Sequence, residues 1–150
     1  MGLLGSKDQR EAFLKKLRAD YVNEMQLSEQ MRLHAQAARY KQYRERLNYL
    51  SEAEKKHAEI IKQLIEKLGG EVPKEIPPVH EDTDRNLFEA LKRDYEMDHQ
   101  DYWQYYELLH DAEREGLVDF IPVLNQLRED EYEHRETLLY LLQKLNPYQS

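Results

Sequence analysis

The sequence predicts an all-α protein, a left-handed four-helix bundle with a long middle crossover connection. Composition is the first observation: 35% of the 150 residues are charged, and only five are Gly and five are Pro, which favours helices over a β fold. In four segments, apolar residues recur at alternating steps of three and four, which predicts shallow, left-handed helix packing. A proline-bearing segment, 71–82, separates the second segment from the third. The length fits a single domain, 1–150.

The four helices are expected at about 7–40, 44–68, 84–115 and 119–145. Turn and capping residues mark their ends: Ser6 with Gln9, Gly69, Gly70, Gly116, Pro122, Asn146 and Pro147. Neither Gly nor Pro lies between the first two helices, so their turn is placed only loosely, near 39–45. The middle segment has at least 12 residues. Since an extended chain spans about 3.3 Å per residue, the segment can reach roughly 40 Å and connect opposite ends of the bundle.

A four-residue word, Glu-x-x-His, occurs twice, at Glu54 to His57 and at Glu131 to His134. Residues three apart lie on one helix face, and both words are in phase with the apolar stripe of their own helix. Glu24 is in phase with the first stripe. The third stripe contains Asp98 and is read as Phe88, Leu91, Tyr95, Asp98, Tyr102, Tyr105, Leu109 and Ala112. The sequence therefore places four carboxylates and two imidazoles in the bundle core.

Four buried carboxylates are costly unless their charge is compensated. Two divalent cations would neutralise them, so metal binding is the simplest interpretation. The chain has no Cys, and a set of oxygen and imidazole ligands suits iron or manganese better than structural zinc, although affinity alone leaves zinc and copper open. Two metals joined by carboxylates indicate redox chemistry with a dioxygen-derived ligand.

With these residues, the chain resembles the ferritin-like superfamily, in which one carboxylate on each of two helices joins a Glu-x-x-His on each of the others. The resemblance covers roughly residues 14–145. Asn23-Glu24 with the segment 30–35 is similar to the first helix of bacterioferritins, and the segment 112–116 to the third-helix end of rubrerythrins. The ligands that the resemblance implies for two iron ions, or for manganese or a mixed pair, are Glu24, Glu54, His57, Asp98, Glu131 and His134. Glu54 and Glu131 would bridge the metals.

The chain also departs from the family pattern. Asp98 is one methylene shorter than the usual Glu, and Asp101 occupies the place of an additional glutamate of rubrerythrins, so Asp101 is a further candidate ligand. Tyr102, one turn from Asp98, is a candidate for the hydroxyl that relatives place near the metals. Lys55 stands where bacterioferritins carry their haem-ligating methionine, so no haem is predicted. The rubredoxin cysteines of full rubrerythrins are absent, and the electron donor would be another protein or Fe²⁺ itself.

The resemblance implies a non-haem di-iron oxidoreductase. Its reaction would be oxidation of Fe²⁺ with O₂ or H₂O₂, of the ferroxidase type, in iron handling or oxidative-stress protection. Three alternatives stay open: a rubrerythrin-like peroxidase with an external electron donor, a subunit of an iron-storage shell, and a metal-free interaction bundle. A homo-oligomer, a dimer or larger, is expected.

Simpler interpretations exist for several of these residues. Ser51-x-x-Glu54 is also a capping box, which would start a helix at Ser51. His34 is expected to pack near the site without binding metal. The remaining histidines are expected at the surface: His80, His99 and His110.

Charge and hydropathy exclude two classes of partner. The net charge of −8 and the acidic pI near 5.3 argue against a nucleic-acid surface. No apolar run approaches the roughly 20 residues of a membrane span. A cytoplasmic protein without a membrane partner is therefore expected.

Overall fold

The computed structural model describes residues 7–79 and 86–145, and the regular elements within them are four α-helices. Their bounds are α1 Lys7–Ala37, α2 Lys41–Lys67, α3 Leu87–Arg114 and α4 Phe120–Gln143. The predicted all-α four-helix bundle is confirmed. Within the described ranges, no helix combines the length and the apolar character that crossing a membrane would need.

In the turn between α1 and α2, which contains neither Gly nor Pro, an arginine pairs with the backbone carbonyls that directly follow α1. The last carbonyls of a helix have no partner within it. The Arg44 guanidinium donates from Nη1 to the backbone oxygens of Ala38, at 3.3 Å, and Arg39, at 2.8 Å. Tyr40 is extended and precedes α2. Three residues, 38–40, lie between the helices, as many as the predicted bounds leave, but the turn comes about three residues earlier than those bounds place it.

The other helix ends follow ordinary capping chemistry. Gly69 and Gly116 have positive φ angles of 76° and 70°, the conformation that stops a helix at low cost with glycine. The Asn86 side chain accepts a hydrogen bond from the Glu89 amide at 2.9 Å and caps α3. The Ser6 capping box, the predicted third-helix start at 84 and the stop at 146–147 lie outside the described residues.

Contacts along α1 show that α3 runs antiparallel to it. Near the start of α1, Lys16 Nζ lies 2.7 Å from Asp111 Oδ2, close to the end of α3. Nearer the end of α1, Gln30 Nε2 donates to Asp94 Oδ1 at 2.7 Å, close to the start of α3. α1 is therefore antiparallel both to α2, which follows it through a short turn, and to α3.

The proline-bearing segment follows α1 along the outside of the bundle. Arg18 Nε donates to the Glu71 oxygen at 2.9 Å, and Gln26 Nε2 donates to the Pro77 oxygen at 3.0 Å. Residues 18 and 26 are eight positions apart, which is about 12 Å along a helix. The segment thus advances from the start of α1 towards its end, as the crossover prediction requires.

The apolar core has two parts, and every helix contributes to both. One part contains residues near the start of α1: Phe13, Leu14, Leu17, Ile61, Leu64, Ile65, Tyr105, Leu108, Ala112, Phe120, Leu124 and Leu127. The other lies towards the end of α1: Leu27, Met31, Ala35, Ala38, Tyr43, Leu47, Leu50, Leu91, Leu138 and Leu141. Between these runs, all four helices carry buried acids or histidines. A polar layer therefore crosses the middle of the bundle.

The predicted stripe of α3 is partly wrong. The main positions that α3 buries are Leu91, Asp94, Asp98, Asp101, Tyr105, Leu108 and Ala112. Every second residue of the predicted stripe is only half-buried, including Tyr95, Tyr102 and Leu109. Each of these three directly follows the residue that is buried in its place, Asp94, Asp101 or Leu108. The error arose because two aspartates replace apolar residues at the true core positions, while neighbouring aromatic and leucine side chains imitate a stripe.

Replacing Leu17 with Ala tests the first part of the core. Leu17 is fully buried, and removing such a side chain leaves a cavity, so we expect the free energy of unfolding to fall by about 2–5 kcal/mol. Chemical denaturation monitored by circular dichroism measures it. Val118→Ala is the control, since Val118 is 69% exposed and should change stability by less than about 0.5 kcal/mol. Equal effects of the two substitutions would contradict this description of the core.

Candidate metal centre

All the side chains predicted as metal ligands lie in the polar layer. The structure buries Glu24, Glu54, His57, Asp98, Asp101, Glu131 and His134. Glu54 belongs to the interior of α2, which begins at Lys41, so the alternative in which Ser51 starts a helix is wrong. The polar layer is thus supplied by all four helices, two of which carry the Glu-x-x-His words.

The two Glu-x-x-His words face each other across the bundle. The Nδ1 atom of His57 lies 2.7 Å from Glu131 Oε1, and the Nδ1 atom of His134 lies 2.6 Å from Glu54 Oε1. The two imidazole rings stack with centroids 5.3 Å apart. Candidate ligand atoms of these four residues all lie within 4.8 Å of one another. Both imidazoles therefore direct Nδ1 towards the carboxylates.

A second group of candidate ligand atoms overlaps the first. It consists of carboxylate oxygens from Glu24, Glu54, Asp101 and Glu131, again within 4.8 Å of one another. Glu54 and Glu131 belong to both groups. Two adjacent groups that share two carboxylates have the arrangement needed to hold two cations with two bridging residues.

On α3, the structure brings Asp101 into this arrangement and leaves Asp98 outside both groups. Asp98 is fully buried next to Glu131. The sequence contains a signal for Asp101: Glu24 precedes Glu54 by 30 positions, and Asp101 precedes Glu131 by the same 30, whereas Asp98 precedes it by 33. Asp101 is thus the counterpart of Glu24 in the second half of the chain.

Tyr105, and not Tyr102, is the tyrosine beside the carboxylates. Tyr105 is fully buried, and its ring lies edge-on to His57 with centroids 6.5 Å apart. Tyr102 instead packs against Trp103 and Tyr132, with ring centroids 5.4 and 6.1 Å away, in a half-buried aromatic cluster. The prediction for Tyr102 followed from the shifted α3 stripe and is corrected with it.

Asp130 supports one of the two histidines and was not predicted. Its Oδ2 atom lies 3.0 Å from His57 Nε2, and its Oδ1 atom accepts a hydrogen bond from Gln126 at 2.9 Å. A carboxylate on the outer imidazole nitrogen fixes ring orientation and makes the other nitrogen a better metal ligand. Its position directly before Glu131 is the sequence signal. The equivalent residue before Glu54 is Ala53.

Burial and mutual repulsion favour protonation of most acids in the layer. Desolvation, followed by repulsion from Glu131, raises the pKa of Glu24 well above its ordinary value. Desolvation and the Glu54 charge do the same to the pKa values of Asp98 and Glu131. Burial raises the pKa of Asp101 to about 7. Burial also acts to raise the pKa of Glu54, but its hydrogen bonds and the attraction of the two imidazoles together outweigh burial and lower this pKa to about 2.

Several buried oxygens of the layer have no hydrogen-bond partner among the described residues. They include both carboxylate oxygens of Glu24 and Asp98 and one oxygen each of Glu54 and Glu131. Buried polar groups are normally paired, and an unpaired carboxylate is expensive. Cations coordinated by these oxygens and by the two Nδ1 atoms would remove that cost. A donor set of carboxylates and imidazoles fits iron or manganese.

The other three histidines that the structure describes belong to neither group of candidate ligands. His34 Nδ1 lies 2.8 Å from Asp94 Oδ2, so His34 packs beside the layer and not within it. His99 and His110 are exposed, and His80 lies outside the described residues. Sequence reasoning missed the buried acids Asp20 and Asp94, because a pattern based on hydrophobicity assigns aspartates to the surface.

Comparisons with known proteins bear on the fold and the family of this chain. A crystal structure of a protein from Xanthomonas campestris pv. campestris superposes with a TM-score of 0.78 at 19% identity, covering 90% of this chain and 91% of that one. A structure described as ferritin-like, diiron-carboxylate proteins from Bacillus anthracis gives 0.77 at 22% identity, covering 89% and 97%. These neighbours confirm the ferritin-like fold. No curated protein matches the sequence. The rubrerythrin family model matches residues 17–142, so the chain belongs to the rubrerythrin family.

Proposed function

We propose that this protein is a non-haem di-iron oxidoreductase that oxidises Fe²⁺ with O₂ or H₂O₂, in iron handling or oxidative-stress protection. The observation that carries the proposal is the pair of overlapping ligand groups that share Glu54 and Glu131. The proposed ligands are Glu24, Glu54, His57, Asp101, Glu131 and His134. Asp98, buried beside Glu131, is an additional carboxylate within reach of the pair.

Each side chain has a distinct part in this proposal. Glu54 and Glu131 would bridge two ions, because each belongs to both groups. The Nδ1 atoms of His57 and His134 would each bind an ion from α2 and α4, because these atoms already lie beside the bridging carboxylates. Asp130 would hold His57 in that orientation through Nε2. Glu24 and Asp101 would complete the set from α1 and α3.

Two iron ions, or manganese or a mixed pair, would supply the electrons that reduce the oxidant. The carboxylates Glu24, Glu54 and Glu131 have no exposed surface, and low access of water strengthens the charge interactions among them. Tyr105 brings a phenol hydroxyl into this environment beside Asp20. That hydroxyl would keep its proton, because burial and the nearby acids raise the pKa of Tyr105, and it could donate a hydrogen bond beside the carboxylates that would hold the ions.

A peroxidase with an external electron donor is the second candidate, and the match to the rubrerythrin family favours it. These 150 residues contain no Cys, so they provide no thiolate-bound iron to deliver electrons. The donor would then be a separate redox centre. We expect a homo-oligomer in either case, and a solution mass near that of a dimer would count against a storage shell.

Metal titration with two matched variants tests the ligand assignment. Anaerobic Fe²⁺ titration should give two ions per chain, with a transient visible absorption band after O₂ is added. Asp101→Asn should lower the Fe²⁺ affinity of at least one of the two positions by more than the roughly 10–100-fold expected for a residue that only supports a ligand. Asp98→Asn should still bind two ions. Loss of an ion in Asp98→Asn alone would restore Asp98 as the ligand. Fewer than one ion in the unmodified protein, with no thermal stabilisation by metal, would favour an interaction bundle.

The pH dependence of stability tests the protonation of Asp101. The folded, metal-free protein keeps this proton up to about pH 7, while an unfolded aspartate loses it near pH 4. The folded state therefore binds more protons between these values, and the free energy of unfolding falls as pH rises, by up to about 1.4 kcal/mol per pH unit for this group. Asp101→Asn should flatten the slope in urea denaturation, whereas Glu129→Gln should not. Equal slopes in all three proteins would refute the shift.

Comparing oxidants separates the two candidate functions. The Fe²⁺-loaded protein is mixed in a stopped-flow instrument with O₂ and, separately, with H₂O₂. A ferroxidase should continue to oxidise added Fe²⁺ with no other reductant. A peroxidase should react much faster with H₂O₂ than with O₂ and should turn over only when an electron donor is present. A loaded protein that reacts with neither oxidant would contradict both functions.

A further inference from the structure

We propose that divalent cations reach the metal centre through the cleft between α2 and α4, past Ala53 and His134. The inference rests on the proposed function, because it concerns how the metal ions of that centre arrive. It assigns a kinetic role to residues that are not ligands. Three observations support it: a cavity that touches the centre, an asymmetry between the two halves of the chain, and the charge of the cavity wall.

The cavity between α2 and α4 has a volume of about 700 Å³, and both proposed histidine ligands line it. Two other cavities, one against the crossover segment and one between the outer sides of α3 and α4, are lined by none of the proposed ligands. The α2–α4 cleft thus joins solvent to the imidazole side of the centre.

The sequence explains why the two helices do not close over this cavity. Helices pack tightly when apolar side chains interdigitate. Apart from the two histidines and Ile60, the residues that line the cleft are charged, polar or small: Glu45, Arg46, Tyr49, Glu52, Ala53 and Lys56 on α2, and Asp130, Glu133 and Thr137 on α4. Charged side chains extend into water instead of filling the space between the helices. The opening therefore follows from the side chains at 45–60 of α2 and 130–137 of α4.

The two histidines differ in what covers their outer side. Asp130 lies on the outer nitrogen of His57, with its Oδ2 atom 3.0 Å from Nε2. The residue in the same place of the other half is Ala53, which precedes Glu54 as Asp130 precedes Glu131. Ala53 presents only a methyl group, which can neither bond to His134 nor block the space beside it. The passage to the carboxylates is consequently on the His134 side.

The wall of the cleft carries excess negative charge. Four acids line it, Glu45, Glu52, Asp130 and Glu133, against two bases, Arg46 and Lys56. A narrow cleft with walls of one predominant sign raises the local concentration of the opposite ion and speeds its association by about 10-fold or more. Glu52 and Glu133 are exposed, one on each helix. Because both also line the cleft that His134 lines, they are the acids chosen to test attraction of a cation.

Association kinetics of Co²⁺ test the route, because its binding can be followed by visible absorption without any redox reaction. In Glu52→Gln with Glu133→Gln, association should slow about tenfold at low salt. The difference should shrink near 1 M salt, where the Debye length is about 3 Å. Ala53→Leu should slow association several-fold at every salt concentration, because the larger side chain narrows the passage. All variants should still bind two ions.

The matched controls change charge or size outside the cleft. Glu129→Gln removes an exposed acid of α4, and Ala37→Leu enlarges an exposed alanine at the end of α1. Both should associate with Co²⁺ at the unmodified rate. If Ala53→Leu fails to fold by circular dichroism, the charge variants and their salt dependence decide the question.

Two failures can be distinguished. Two bound Co²⁺ ions with unchanged rates in every cleft variant would overturn the route and leave the proposed function standing. Absence of Co²⁺ binding to the unmodified protein, together with no Fe²⁺ binding, would overturn the metal centre and the route with it.

Discussion

The cost of burying carboxylates governs the organisation of this protein. Glu24, Glu54 and Glu131 have no exposed surface, and charges in such an environment need compensation from partners of opposite sign. Within the protein, the two imidazoles and the protons that the acids retain provide part of this compensation. Metal ions would provide the remainder. The pairing between the Glu-x-x-His words, the raised pKa values and the unpaired oxygens are three expressions of the same constraint.

Much of the fold could be predicted because large apolar residues mark three of the four helices clearly. On α2 and α4, an apolar residue, leucine or Ile61, lies one turn before and one turn after each Glu-x-x-His and indicated the phase of the helix, and the words are buried as expected. α3 differs, since its core face includes Asp94, Asp98 and Asp101. A hydrophobic pattern cannot distinguish a buried aspartate from a surface one, so the stripe was assigned one residue late at alternate positions.

In the site too, some residues could be predicted from the sequence pattern, whereas others depend on how the helices pack together. The repeated words and Glu24 could be recognised on one helix at a time. Asp101 could have been chosen because it precedes Glu131 by the same number of residues as Glu24 precedes Glu54. That comparison joins residues on different helices, so the pattern of a single helix does not reveal it. Asp130 and the α2–α4 cleft depend on how far two helices approach each other, and no local pattern specifies that distance.

The polar layer also divides the apolar core into two separate parts. Leu17 belongs to one part and Met31 to the other, and 14 helical positions place them roughly 21 Å apart along α1. Substitutions this distant generally have additive effects on stability. Each end of the bundle can therefore accumulate sequence changes without correlated change at the other end, while the carboxylates between them remain in place.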